Sequence, residues 1–196
     1  MIDLQAYLEK RLHDIILTWN ENGIYAISFF VYANEAYEYN GYSNVTNFFV
    51  SYNTENDCGD AGELSERRWN YAFWRQNETP IISSDDENEG IEILFAWYKE
   101  NGIDNIGYED YNNCYDADMR YIGKGPVGYY ELLSEITAVA SKLQKSGFIK
   151  NKFGRPIPII IHDLEYSWYV MEATEKANPN GEADTFFAAA EELGFV

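Results

Sequence analysis

The chain has 196 residues, with thirty-three Asp and Glu against fourteen Lys and Arg, giving a formal net charge of −19. A field of that sign repels nucleic acid and anionic membrane and attracts cationic protein surfaces. A hydrophobic content of 46% with 17% aromatic residues excludes disorder as the dominant state, and one domain of this length buries roughly 70% of its unfolded surface.

Leu4, Leu8, Leu12, Ile15, Ile16 and Trp19 recur at helical spacing, which predicts a helix over 3–20 with Asp3 as N-cap and Gly23 at its end. Ile24 to Tyr32 and Val45 to Asn53 are dense in β-branched and aromatic residues and read as two antiparallel strands joined by a longish loop. After a turn-rich stretch at 56–62, Ser65 to Trp74 reads as a short helix capped by Ser65. There Trp69 and Phe73, four apart, would dock together on the sheet. Ile81 and Ile82 add a short strand or tuck into the core. Ile91, Leu94, Phe95 and Tyr98 mark an amphipathic helix that stops at Gly102.

Residues 104–118 are acidic and rich in Tyr and Asn, with no assignable element. Pro126 precedes a helix over 129–146 whose apolar face runs from Leu132 to Leu143 and whose C′ residue is Gly147. The apolar run at 155–161 suits a strand covered on both faces, with Pro158 confining its hydrogen-bonded part to Ile159 onwards or placing it at an edge. Helices over 168–176 and 183–193 complete the chain. The expectation is one α+β domain, 1–196, with a central mixed or antiparallel sheet flanked by helices.

Cys58 and Cys114 form no Cys-x-x-Cys pair, so two free thiols in a reducing compartment are expected, a disulfide between them being left open. The charged N-terminus lacks the apolar region of a signal peptide, and no run approaches the ~18 apolar residues of a membrane span. A soluble, cytoplasmic protein is expected.

Three segments resemble a known family. They are the strand Ile24 to Phe30, the Glu66-Arg67-Arg68-Trp69-Asn70-Tyr71-Ala72-Phe73-Trp74 stretch, and Phe153-Gly154-Arg155-Pro156-Ile157-Pro158 running into Ile161-His162-Asp163-Leu164-Glu165-Tyr166, with Asn178-Pro179-Asn180-Gly181 near the end. In this order they look like the bacterial domain-of-unknown-function family 4303. That resemblance covers nearly the whole chain and implies no established reaction and no catalytic residues. At the level of class, proteins of this size and composition resemble the immunity proteins of bacterial secreted-toxin systems.

The chemistry offered by single motifs is thin. His162, Asp163 and Glu165 follow the apolar strand, where ligand groups gather in α/β sheets, and a His beside carboxylates suits general acid–base work or a divalent metal. Adjacent residues in extended chain point to opposite sides, however, so His162 and Asp163 do not converge by spacing alone. The acidic stretch from Asp104 to Asp118 fails the calcium-loop spacing. The Gly-rich stretch from Gly123 to Gly128 lacks the Gly-Lys-Ser/Thr order of a phosphate loop. Arg67-Arg68-Trp69 is the one basic-aromatic cluster, and pairing with nearby carboxylates is its simplest role. No cofactor and no metal are expected.

Two readings follow. In the first, the chain is an acidic immunity-type inhibitor that binds a basic partner such as a toxin domain, and binds neither nucleic acid nor membrane. Its contact residues would be Asp85, Asp86, Glu87 and Glu89 in one loop, and Tyr108, Glu109, Asp110, Tyr111, Tyr115, Asp116 and Asp118 in the other. In the second, it is an enzyme or a small-ligand or metal binder built on His162, Asp163 and Glu165. Mimicry of DNA by spaced carboxylates shares the charge argument of the first reading.

Overall fold

The computed structural model describes residues 3–34, 45–84, 89–103, 117, 128–163 and 165–195. Helix α1, Leu4–Thr18, buries Leu4, Leu8, Leu12 and Ile16, one residue per turn, and Asp3 caps it by accepting the Ala6 N–H at 2.9 Å. It ends on extended Trp19 rather than at Gly23, whose φ of +75° instead serves the turn into the first strand. Strands β1, Ile24–Asn34, and β2, Val45–Thr54, pair antiparallel, with Ser28 opposite Ser51 and Phe30 opposite Phe49. Two short helices, α2 (Glu55–Cys58) and α3 (Glu66–Trp69), and a 3-10 turn at Tyr71–Phe73 lead to strand β3, Thr79–Ile82, which pairs antiparallel with β2. Helix α4 spans Glu89–Glu100, α5 Tyr129–Lys145 and α6 Phe148–Phe153. Strand β4, Ile159–His162, then runs parallel to β1, and helices α7 (Trp168–Ala177) and α8 (Asp184–Leu193) follow.

The sheet order is β3-β2-β1-β4, one parallel pair in an otherwise antiparallel sheet, so the fold is α+β with a mixed sheet. Strand alternation divides its side chains cleanly. Ile27, Phe29, Val31, Phe48, Val50, Ile159 and Ile161 face one way and pack under α1, α4 and α5 as the main core. The opposite face carries Ser28, Phe30, Ser51, Asn53, Ile160 and His162, and is roofed by α3, the 3-10 turn and α8, through Trp69, Trp74 and Phe186.

The expected single helix over 65–74 is two pieces. Asn70 adopts an extended backbone (φ −85°, ψ 118°), and its side chain accepts the Ala72 N–H at 3.0 Å to start the 3-10 turn. That break shifts the phase, so Trp69 is buried while Phe73 turns out to 53% exposure instead of docking beside it. Ser65 holds the N-cap position of α3 without a capping hydrogen bond from its side chain. Helices α2 and α6 lie outside the expected elements. Each spans a turn or two, too short for a clear 3.6-residue pattern.

Strand β4 is an edge strand whose free side is closed by side chains of α7 and of its C-cap residue, Asn178. Asn178 accepts the Ile159 N–H at 2.9 Å through Oδ1 and donates to the Ile159 carbonyl at 2.7 Å through Nδ2. One turn earlier, Thr174 Oγ1 accepts the Ile161 N–H at 2.9 Å and donates to the Ile161 carbonyl at 3.0 Å. Two side chains four residues apart on a helix thereby imitate a neighbouring strand, and the backbone polar groups of a buried edge are satisfied.

Candidate functional site

His162 ends β4 with no exposed surface. Its Nδ1 lies 3.1 Å from the Asp163 carbonyl oxygen, which only accepts, so Nδ1 carries the proton. Nε2 is then the acceptor of the neutral ring, and Ser28 Oγ donates to it at 2.7 Å. The rings of Phe30 (5.3 Å between centroids), Tyr71 (4.3 Å), Trp74 (5.9 Å) and Tyr166 (6.3 Å) surround the imidazole. Burial among these rings disfavours the charged form and pushes the His162 pKa down to about 4, only partly offset by the hydrogen bond to Asp163. The imidazole is therefore neutral at pH 7, with both nitrogens engaged.

The other two residues of this segment go elsewhere. The Asp163 carboxylate accepts from Tyr169 Oη at 2.6 Å, from the Glu165 N–H at 3.0 Å and from Ser167 Oγ at 3.4 Å, and burial raises its pKa. It anchors the approach to α7. Glu165 is exposed. The imidazole, the Asp163 carboxylate and the Glu165 carboxylate thus do not face one reacting centre. Among the described residues, no group of three or more His, Cys, Asp or Glu converges as metal ligands would. A groove of about 390 Å³ between α5 and α7, lined by Tyr130, Leu133, Thr137, Tyr169 and Ala173 among others, does not reach His162.

The cations of the described chain are largely engaged within the fold. Arg68 grips Glu55 with both terminal nitrogens at 2.7 Å, stacks 4.0 Å over the Tyr25 ring and reaches Cys58 Sγ at 3.4 Å. This forked pair holds the Glu55 carboxyl below its ordinary pKa. Arg75 bridges Glu21 at 2.6 Å and Asp57 at 3.0 Å. Lys10 pairs with Asp14, Lys142 with Glu9 and Lys176 with Glu172. Lys152 donates to the Leu17 carbonyl at the end of α1, and Arg155 to the Ile24 carbonyl. The expected pairing role of the Arg67-Arg68-Trp69 cluster holds for Arg68, whereas Arg67 is exposed. Cys58 is a free, buried thiol whose pKa burial raises.

Of the expected contact residues, Glu89 opens α4 and is exposed. Asp85, Asp86, Glu87, Tyr108, Glu109, Asp110, Tyr111, Tyr115, Asp116 and Asp118 lie outside the described residues. A separate concentration of carboxylates stands on the roof of the sheet's second face. Residues 60–67 carry Asp60, Glu63 and Glu66 against Arg67, and 182–195 carry Glu182, Asp184, Glu191 and Glu192 with no Lys or Arg. Helix α3 packs on α8, with Trp69 edge-on to Phe186 at 5.7 Å, so the two segments form one surface. Spacing along the chain hides this surface, because its halves are more than a hundred residues apart. The legible signal was the cation-free run from 182 to 195 alone.

Among the described residues, no helix is long and apolar enough to cross a membrane. No protein-family model, no curated protein and no solved structure matches the chain.

Proposed function

We propose that the chain is an acidic protein-binding protein, an immunity-type inhibitor whose partner is a cationic domain such as a bacterial toxin. One observation carries this reading: the net charge is −19, and Arg68 and Arg75 pair locally with Glu55, Glu21 and Asp57. Most of the remaining described carboxylates are exposed, and across the chain carboxylates outnumber cations by more than two to one. Such a field raises the encounter rate with a cationic partner by factors of roughly 10 to 1000 at low salt. The likeness to the domain-of-unknown-function family 4303, and through its class to immunity proteins, points the same way. The enzyme reading finds no comparable support, since its one imidazole is enclosed and neutral and both its nitrogens are occupied.

The test is a display library of cationic bacterial nuclease and toxin domains, sorted for binding to the purified full chain at low salt. Domains that bind are then assayed for growth arrest in cells with and without the chain. The reading expects at least one domain to be bound and its toxicity relieved. A library that yields no binder above a charge-matched decoy overturns it.

A further inference from the structure

Helices α5 and α7 lie side by side and run the same way. Their first turns meet where the Tyr130 and Trp168 rings stand 6.1 Å apart, and their last turns where Gln144 Nε2 donates to Asn178 Oδ1 at 3.0 Å. The groove of about 390 Å³ between them therefore has two unlike ends, Tyr130 and Tyr169 at one and Lys145 and Lys176 at the other. Buried Leu133, Thr137 and Ala173 form its floor. The Thr137 hydroxyl donates back to the Leu133 carbonyl at 2.7 Å, which leaves that floor chiefly apolar. Small-molecule pockets have this composition and volumes of roughly 300–1,000 Å³.

The charge beside this groove is opposite to that of the chain. From 136 to 162 the sequence holds five Lys and Arg and no Asp or Glu, against a net charge of −19 overall. The carboxylates of α5 are turned to other partners: Glu131 accepts the Gly128 N–H at 2.8 Å and Glu135 the Gln5 amide at 2.7 Å. On α7, Glu172 lines the groove but is paired with Lys176, and Glu175 does not line it. Lys145 has no carboxylate partner among the described residues. Both lysines stand in the last turns of their helices, where the helix dipole favours a cation. An uncharged occupant leaves Lys145 unmatched and a cationic one is repelled by it, so the lining selects an anion.

We infer that the groove between α5 and α7 is a binding site for a small amphiphilic carboxylate, its apolar body laid over Leu133, Thr137 and Ala173 and its head held by Lys145 with Lys176 beside it. The site goes beyond the function proposed above and is independent of it.

The probes are octanoate and 2-naphthoate, which carry the same head on an alkyl and an aromatic body, with octanol and 2-naphthol as their neutral counterparts. Each is titrated into the full chain and followed by heteronuclear NMR, which locates the affected amides. At least one carboxylate is expected to saturate with shifts concentrated in α5 and α7, and to bind roughly fivefold or more tightly than its alcohol. Lys145→Glu should weaken that carboxylate by roughly fivefold or more and leave the alcohol unchanged. Lys150→Glu makes the same charge change at an exposed position of α6 outside the groove, and should weaken it by less than about twofold. Ala138→Trp, on the exposed wall, should fill the groove and weaken acid and alcohol alike; should its thermal melt move, Ala138→Leu takes its place. The assignment is overturned if neither carboxylate saturates at millimolar concentration, or if the alcohol binds as tightly as the acid. It is equally overturned if Lys150→Glu weakens binding as much as Lys145→Glu, or if filling the groove has no effect. None of these results bears on the binding of a cationic protein.

Discussion

Acidification should destabilise this protein through His162 in a way that one substitution isolates. The ring is fully buried and neutral, with a folded pKa of about 4 against an ordinary value of 6.5. On lowering the pH the unfolded chain takes up the proton first, so the stability His162 contributes is complete above 6.5 and is lost as the pH falls towards 4. The difference of about 2.5 in pKa sets a ceiling of about 3 kcal/mol at 1.36 kcal/mol for each unit. Of this, about 2 kcal/mol disappears between pH 7.5 and pH 5. His162→Gln removes the titration but keeps an amide able to meet the Ser28 hydroxyl. The assay is urea unfolding of both proteins at the two pH values, with His13 and all carboxylates common to both, so that their contributions cancel. Wild type should lose about 2 kcal/mol more than His162→Gln on going to pH 5. Parallel losses, within about 0.5 kcal/mol, would show that the imidazole is not enclosed as described.

Three further outcomes follow from the same packing. Asn178→Ala removes the partners of the Ile159 N–H and carbonyl together with a hydrogen bond to Gln144. It should cost about 3 kcal/mol in urea unfolding at unchanged slope, because buried backbone groups of the β4 edge are left unsatisfied; a cost near zero would mean that water reaches that edge. Arg68→Lys keeps the charge but loses the forked contact to Glu55 and the stack on Tyr25, and should destabilise by about 1–2 kcal/mol. In a Glu55→Gln background most of that cost should vanish, and an undiminished cost would refute the coupling. In a Cys114→Ser background, Cys58 should react with a disulfide reagent at pH 8 only as denaturant unfolds the chain, since the thiol is buried and its pKa raised; immediate reaction would contradict its placement.

Much of the architecture is legible in the sequence because its signals are strong and local. Leu4 through Ile16, Ile91 through Tyr98 and Leu132 through Leu143 each state a helix by period, and Pro158 marks where β4 begins. The break at Asn70 is not legible from apolar spacing, because a side-chain hydrogen bond to Ala72 outweighs the helical phase of Trp69 and Phe73. The burial of His162 is decided largely by residues far from it in sequence, namely Ser28, Phe30, Tyr71 and Trp74, so its polar neighbours along the chain pointed towards chemistry that the fold does not assemble. Asn47, Phe49, Ser51 and Asn53 alternate along β2 and give the second sheet face its mixed polarity. Pairing Ser28 with an imidazole required the parallel register of β1 and β4, which sequence does not specify. The surface on α3 and α8 was hidden for the same reason: only the tertiary contact of Trp69 with Phe186 joins its halves.

The most direct test of the central claim is the ionic-strength dependence of association between the full chain and a cationic domain that it binds. Steering by surplus carboxylates predicts an association rate that falls by about tenfold or more from low to high salt, while the dissociation rate changes little. An association rate that stays flat across that range would contradict the account.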